Sequence, residues 1–190
     1  MPPRSQPWLC WMAIVAFLGA AALRAADDQG RALLGTTAPE WQVQDWLHSP
    51  PLKLADLRGK VILVRWWTSP GCPFCAATAP ALNDFHQRYR ERGLVVLGFY
   101  HHKSPAPLQP GHVAAQAKQL GLVFPIATDP GWQTLKQWWL QPAERDFTSV
   151  SFLLDKQGRI HHIHPGGEYP LGSKDHQTLQ AQIESLLSKP

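Results

Sequence analysis

The sequence VILVRWWTSPGCPFCAATAPALNDFHQRYRERGLVVLGFY, residues 61–100, decides the fold. It holds two apolar runs, 61–67 and 94–100, which are too short for helices and typical of strands buried on both faces. Between them we predict a helix over 73–92, because a proline stands in its first turn and a glycine follows its end. Strand, helix and strand then form a crossover unit with a parallel strand pair.

Two cysteines, Cys72 and Cys75, lie between the end of the first predicted strand and the first turn of the predicted helix. Reaction sites of open α/β sheets gather at the carboxyl ends of such strands. A thiol attacks as its thiolate, and the N-terminus of a helix stabilises that negative charge. Cys75 comes one turn later, within disulfide distance. The spacing predicts that Cys72 attacks a partner disulfide and that Cys75 then displaces the partner.

Two other uses of a C-x-x-C pair fit the sequence less well. A zinc site needs four ligands, and the chain has no second cysteine pair. A structural disulfide that closes so short a loop would add little stability. We therefore expect neither a resident metal nor a cofactor.

The rest of the chain continues the α/β pattern. After a polar, extended approach over 35–51 and a turn over 52–60, we predict a helix over 112–120, a short strand over 124–127, a short helix over 132–140, a hairpin with arms 149–154 and 159–164, and a closing helix over 174–187. With 190 residues, the chain is long enough for one ordinary domain, which we place over 35–190.

The beginning of the chain has the pattern of an export signal. Residues 8–23 form an apolar run without charges, preceded by Arg4 and followed by small residues with a possible cleavage point after Ala25. We predict a signal peptide over 1–25, with an uncleaved membrane anchor as the alternative. The protein is then exported, periplasmic or otherwise extracytoplasmic, and the third cysteine, Cys10, lies in the leader.

The charge balance argues against a nucleic-acid partner. The chain has 18 basic and 14 acidic residues, and two of the basic ones lie in the leader. No run of lysines or arginines alternates with aromatic residues, as a nucleic-acid surface would require. We expect protein thiols or disulfides as partners instead.

The motif CPFCAATAP, residues 72–80, resembles the thioredoxin superfamily. The resemblance is greatest to its exported thiol-disulfide oxidoreductases and to the redoxin group of alkyl hydroperoxide reductases and thiol-specific antioxidant proteins. A proline five residues after the second cysteine makes the match more specific than C-x-x-C alone, and the similarity extends over 35–187. It implies a thioredoxin-like α/β fold, with a central mixed sheet flanked by helices, and disulfide exchange outside the cytoplasm.

The resemblance also suggests where a substrate binds. Most relatives place a cis-proline before the hairpin strand, and its backbone receives the substrate as an added strand. The corresponding residue here is Ser149, where a cis peptide would cost about 3 kcal/mol, and Val150 follows it. We predict Ser149, Val150 and Phe74, which lies between the cysteines, as substrate-binding residues.

Two other departures from the family concern the cysteine pair. Many relatives carry a buried carboxylate nearby that moves protons, and the matching positions here are Trp66 and Thr78, so no general base is identified. Relatives often have tryptophan directly before the first cysteine, where this chain has Gly71.

A redoxin-type thiol peroxidase is the first alternative function. Cys72 would attack a peroxide and become a sulfenic acid, which Cys75 would resolve. Thr68, Pro70 and Arg65 are the residue types that surround a peroxidatic cysteine, but they do not have the spacing of that family.

A copper-binding module on the same fold is the second alternative, with the cysteines as soft ligands. The sequence HHIH at 161–164 would place His162 and His164 on one face of a strand, although they would more simply face solvent. His101 and His102 follow the second strand, near the cysteines. One of them would tune the thiolate, or both would be solvated loop residues.

Overall fold

The computed structural model describes residues 29–141 and 145–189. The predicted leader, 1–25, lies outside the described residues. Within the described ranges, none of the helices combines the length and the apolar character that a bilayer span requires.

Six strands form one mixed sheet in the order β1-β4-β3-β2-β5-β6. They are β1 Gln44–Leu47, β2 Val61–Trp67, β3 Leu94–Tyr100, β4 Ile126–Thr128, β5 Ser151–Leu154 and β6 Ile160–His164. Strands β2, β3 and β4 are parallel to one another, whereas β1, β5 and β6 add antiparallel pairings. Strand β2 is central, as predicted, and all seven of its residues are buried.

Helices cover both faces of the sheet. The α-helical segments are α1 Pro73–Tyr89, α2 His112–Gln119, α3 Gln133–Leu135 and α4 Lys174–Ser188. Single 3-10 turns lie at Arg31–Leu33, Leu54–Leu57, Arg90–Arg92 and Pro130–Trp132, and one π-helical turn spans Lys136–Leu140. The helix predicted over 73–92 is therefore α-helical to Tyr89 and continues as a 3-10 turn.

Two predicted segments differ from the structure. The approach over 35–51 contains an edge strand, β1, which pairs antiparallel with β4. The helix predicted over 132–140 is a succession of 3-10, α and π turns, with Trp132 itself in the left-handed region at φ 62°.

Alternation along β2 divides the core into two layers. Leu63 and Trp67 point to the layer that holds α1 and α4. Val64 and Trp66 point to the opposite layer, which holds the π turn. Because side chains alternate along a strand, Arg65 shares the face of Leu63 and Trp67 and lies toward α1. The start of α1 and the carboxyl end of β2 therefore meet on that side.

Candidate functional site

Cys72 lies at the N-cap of α1, with the extended backbone angles φ −81° and ψ 113°. Pro73 takes the first helical position, where its missing N–H costs no hydrogen bond. The Cys72 carbonyl accepts hydrogen bonds from the backbone N–H groups of Cys75 and Ala76, both at 3.1 Å, and these bonds close the first turn. Both thiols are free. Cys72 is half-buried and Cys75 is 4% exposed, so one sulfur lies outside and the other beneath it.

The surroundings of Cys75 oppose its ionisation. Burial raises the pKa of Cys75 to about 11, and a hydrogen bond with Cys72 adds to this effect. A backbone hydrogen bond from Thr68 and the positive charge of Arg65 act in the opposite direction. At neutral pH the inner thiol is therefore protonated, and its ionisation needs help during a reaction.

Arg65 is the buried charged group beneath the cysteine pair. Its side chain is 1% exposed. One terminal nitrogen donates to the Gly167 carbonyl at 2.7 Å, and the other donates to Oγ of Ser151 at 3.3 Å. The guanidinium carbon also lies 5.3 Å from the ring centroid of Tyr169. These contacts hold the cation in place through neutral groups.

Only one of the two positions that match the family's buried carboxylate lies on the cysteine side of the sheet. Trp66 lies on the opposite face of the sheet, where its indole donates to Asp129 at 2.9 Å. Thr78 is buried in α1, and its hydroxyl accepts from the backbone N–H of Tyr169 at 3.3 Å. Strand β2 places the charged side chain of Arg65 on the cysteine side, and the signal for it in the sequence is a lone arginine within an apolar strand.

Phe74 meets a second aromatic side chain that sequence reasoning missed. Its ring centroid lies 6.2 Å from that of Phe147, which is 54% exposed. Gly166 lies against Phe147, and a Cβ at this glycine would collide with the phenylalanine side chain. Phe74 and Phe147 form an apolar pair at the start of α1, which we call the aromatic pair.

Ser149 and Val150 lie at the entrance to β5. Ser149 is buried, and its Oγ accepts a hydrogen bond from the Gly167 N–H at 3.3 Å. This bond connects the loop that contains Gly167 to the segment before β5. Val150 is fully buried, and its carbonyl accepts from the Trp66 N–H at 3.1 Å. All peptide bonds in the described part of the chain are trans. The substrate-binding roles of Phe74, Ser149 and Val150 stay predictions.

His101 is buried rather than solvated. Its Nε2 lies 2.9 Å from the Thr148 hydroxyl, and its ring packs edge-on against Trp132 at 5.3 Å. Burial lowers the pKa of His101 to about 3, so the ring is neutral at neutral pH. His102 is half-buried, and its Nε2 lies 2.8 Å from the Ala106 carbonyl.

The histidines of β6 pack partly against α4. His161 Nε2 lies 2.9 Å from the Gln182 side-chain oxygen, and His164 Nε2 lies 3.6 Å from the Asp175 carboxylate. Burial lowers the pKa of His162 and of His164. Within 29–141 and 145–189, no three histidine, cysteine or acidic side chains gather closely enough to hold a metal ion. Copper binding stays a prediction without a complete ligand set.

Known proteins resemble this chain over most of its length. The family model described as the AhpC/TSA family matches residues 34–163. Protein DipZ of Mycobacterium bovis is 30% identical over 156 residues, which are 80% of this chain but only 21% of DipZ. The thiol-disulfide oxidoreductase ResA of Bacillus anthracis is 27% identical over 159 residues, which are 84% of this chain and 82% of ResA.

A solved structure agrees with the fold. The thiol-disulfide isomerase of Corynebacterium glutamicum superposes with a TM-score of 0.62 at 27% identity, over 80% of this chain and 98% of that chain. The similarity confirms the thioredoxin-like α/β fold that the CPFC motif predicted. With the family model matching 34–163, this chain belongs to the AhpC/TSA family.

Proposed function

We propose that this chain is an exported thiol-disulfide oxidoreductase that exchanges disulfides with partner proteins through Cys72 and Cys75. The observation that carries the proposal is the half-buried Cys72 at the start of α1, above the buried Cys75 and at the carboxyl end of the central strand. The relatives named as thiol-disulfide oxidoreductases and the isomerase of similar structure support the same chemistry.

Exchange takes two steps in which electrons and protons balance. The Cys72 thiolate attacks one sulfur of the partner disulfide, and the other partner sulfur leaves as a thiolate that takes a proton from water. Cys75 then loses its proton to water and attacks the sulfur of Cys72. This breaks the mixed disulfide and releases the second partner thiolate. Two electrons have passed from the cysteine pair to the partner, and the reverse sequence oxidises a partner dithiol.

The aromatic pair supports a protein substrate with an apolar residue near its cysteine. Phe74 stands between the two cysteines in the sequence, and Phe147 precedes the segment where relatives receive the substrate backbone. Aromatic side chains supply much of the contact energy at protein interfaces. Buried Ser149 fixes the Gly167 loop beside this contact.

A trapping experiment tests the proposal. The Cys75→Ala variant leaves Cys72 able to attack but removes the sulfur that completes the exchange. We expect partner proteins to accumulate on Cys72 as mixed disulfides that dithiothreitol releases. The double variant Cys72→Ala, Cys75→Ala is the control and should hold no partner. An absence of mixed disulfides in Cys75→Ala, both with extracytoplasmic extract and with oxidised insulin as the probe, would contradict the proposal.

The family match favours a peroxidase as the second candidate. In that reaction the Cys72 thiolate attacks a peroxide oxygen and breaks the O–O bond, which yields a sulfenic acid and water or an alcohol. Cys75 condenses with the sulfenic acid, and the disulfide forms with release of water. Rapid consumption of hydrogen peroxide by the reduced protein, together with slow reaction with oxidised insulin, would reverse the order of the two candidates.

Export rests on the apolar run at 8–23, with Arg4 before it and small residues after it. Expression in a bacterium with cell fractionation tests this part. We expect the protein outside the cytoplasm, and mass spectrometry of its N-terminus will distinguish a cleaved signal from a membrane anchor. Recovery of the full-length chain in the cytoplasm would contradict export.

A further inference from the structure

The buried cation beneath the cysteine pair has a part in the exchange, and this inference rests on the proposed function. We propose that Arg65 replaces the family's buried carboxylate as a positioning residue of opposite charge. It favours the thiolate of Cys75 in the second step by its positive charge and does not accept the proton. The proton of Cys75 passes to water.

The topology places Arg65 beneath the start of α1. It lies on β2 between Leu63 and Trp67, two residues that belong to the same buried cluster as Cys75. Tyr169 connects the two elements, because its ring lies against the guanidinium and its backbone N–H donates to Thr78 in α1. The cation is therefore enclosed between the central strand and the helix that carries the cysteines.

No carboxylate neutralises this cation within the part of the chain that the structure describes. Its hydrogen-bond partners are the Ser151 hydroxyl and the Gly167 carbonyl, and its Nε has no partner there. A buried charge without an opposite charge is costly. Burial lowers the pKa of Arg65, and the nearby groups that can become anions oppose this effect, in the order Tyr169, Cys75 and Cys72. Burial also raises the pKa of the Tyr169 phenol, which therefore stays neutral at neutral pH. The two cysteines are left as the groups that can supply a counter-ion.

The need for a cation arises in the second step. Burial raises the pKa of Cys75 to about 11, and Cys72 raises it further through a hydrogen bond and its charge. Once Cys72 is joined to a partner, its sulfur is no longer an anion. Two influences then favour the Cys75 thiolate against burial, namely the Thr68 hydrogen bond and Arg65. Removal of Arg65 therefore leaves Cys75 harder to ionise at the moment when it must attack.

The other titratable groups that face Arg65 do not replace it. Burial raises the pKa of Tyr169 and lowers those of His101 and His164, and the charge of Arg65 acts in the same direction on both histidines. All three side chains are therefore neutral at neutral pH.

Stopped-flow reaction with one equivalent of 5,5′-dithiobis(2-nitrobenzoate) separates the two steps. Attack by Cys72 on the reagent releases a first coloured thiolate, and attack by Cys75 on the mixed disulfide releases a second. We expect Arg65→Met to slow the second phase at least tenfold at pH 7 and the first phase much less. Raising the pH should restore the second phase, and Arg65→Lys should recover part of the rate.

Tyr169→Phe is the matched control, because it disturbs the same buried cluster and keeps both the ring and the cation. Its second phase should stay within about twofold of wild type. If Arg65→Met does not fold, Arg65→Gln takes its place, because it also removes the positive charge but keeps a hydrogen-bond donor toward Ser151 and Gly167. A second phase of wild-type rate in Arg65→Met, or an equal loss in Tyr169→Phe, would overturn the inference. Release of only one coloured thiolate by the wild type would instead overturn the proposed function.

Discussion

The ring centroids of Phe74 and Phe147 lie 6.2 Å apart, so the residue between the two cysteines packs against the chain that leads to Ser149. Phe147 is 54% exposed, although large apolar side chains usually gain from burial. Gly166 leaves the space in which Phe147 lies, because a Cβ there would collide with it. An exposed aromatic ring held against the residue between the two cysteines is suited to contact with an incoming chain.

Phe147→Ala should therefore slow reaction with proteins and leave reaction with small disulfides unchanged. An aromatic pair contributes about 0.5–1.5 kcal/mol beyond its buried area, so we expect kcat/KM for insulin reduction to fall about three- to tenfold. The rate with 5,5′-dithiobis(2-nitrobenzoate) should not change. Leu34→Ala, at an exposed leucine in another part of the surface, is the control. An equal loss with the small reagent would show that Phe147 supports Cys72 rather than the substrate.

Asp129→Asn should destabilise the protein although it removes a buried charge. Asp129 accepts hydrogen bonds from the Trp66 indole and from the backbone N–H groups of Thr134 and Leu135. Asparagine offers one oxygen, so at least one of these donors would meet an NH2 group. We expect a loss of about 1–3 kcal/mol in the free energy of unfolding at pH 7, measured with urea.

The pH dependence of this loss has a definite sign. Burial raises the pKa of Asp129, so the folded state binds the proton more tightly than the unfolded state. The contribution of the protonated carboxyl is therefore fully present below the unfolded pKa and is lost as the pH rises through the folded pKa. Asp129→Asn removes this titration. The free energy of unfolding of the variant should therefore fall further below that of wild type at pH 4 than at pH 7. A deficit that does not change with pH would contradict this explanation.

The strand-helix-strand unit could be predicted because its signals are local. The apolar runs of β2 and β3, the proline at the start of α1 and the glycine after it are properties of short segments. Strand β1 could not be predicted in this way. Its sequence QDWL has no apolar alternation, it lies at the sheet edge, and its partner β4 is about 80 residues further along the chain.

The cysteine site was predictable in part for the same reason. The positions of Cys72 and Cys75 follow from the helix start, but the face on which Arg65 lies depends on strand register. Side chains alternate between the two faces of a strand. An error of one residue in the register assigned to β2 therefore puts Trp66 instead of Arg65 on the cysteine side of the sheet. The contact of Phe74 with Phe147 joins segments that are far apart in the sequence, and no local pattern indicates it.

His101→Gln should reduce the loss of stability that acid causes. Burial lowers the pKa of His101 to about 3, so the unfolded state binds a proton that the folded state rejects. Its stabilising contribution is therefore full above the ordinary pKa of about 6.5 and is lost as the pH falls toward 3. Between pH 7 and pH 5 this amounts to roughly 2 kcal/mol in the wild type, measured by urea unfolding. The glutamine variant should lose correspondingly less.

Thr148→Val is the control for His101, because it removes the hydrogen bond to Nε2 and leaves the titrating ring in place. It should be less stable than wild type at both pH values and keep a similar difference between them. If His101→Gln kept the full wild-type dependence on pH, another group would have to be responsible.

Gly98→Ala should destabilise the side of the sheet that supports the cysteines. Gly98 pairs with Arg65 in the register of β2 and β3. A Cβ at Gly98 would lie 3.0 Å from the Phe124 ring and 3.1 Å from Nε1 of Trp67, closer than ordinary packing allows. Because both neighbours are buried rings, the added methyl group has no free space. We expect a loss of about 1–3 kcal/mol in the free energy of unfolding.

Gly71→Ala provides the matched comparison. Its Cβ would meet only the hydroxyl of Ser69, at the ordinary distance of 3.7 Å, and the glycine is not among those with positive φ. The change in the free energy of unfolding should stay within about 0.5 kcal/mol. The backbone therefore does not require glycine at this position, where relatives often have tryptophan. Urea unfolding of both variants in the reduced state checks the contrast. Equal losses in the two variants would mean that the crowding around Gly98 relaxes without cost, and the layer between β2, β3 and α1 would then be less rigid than its packing indicates.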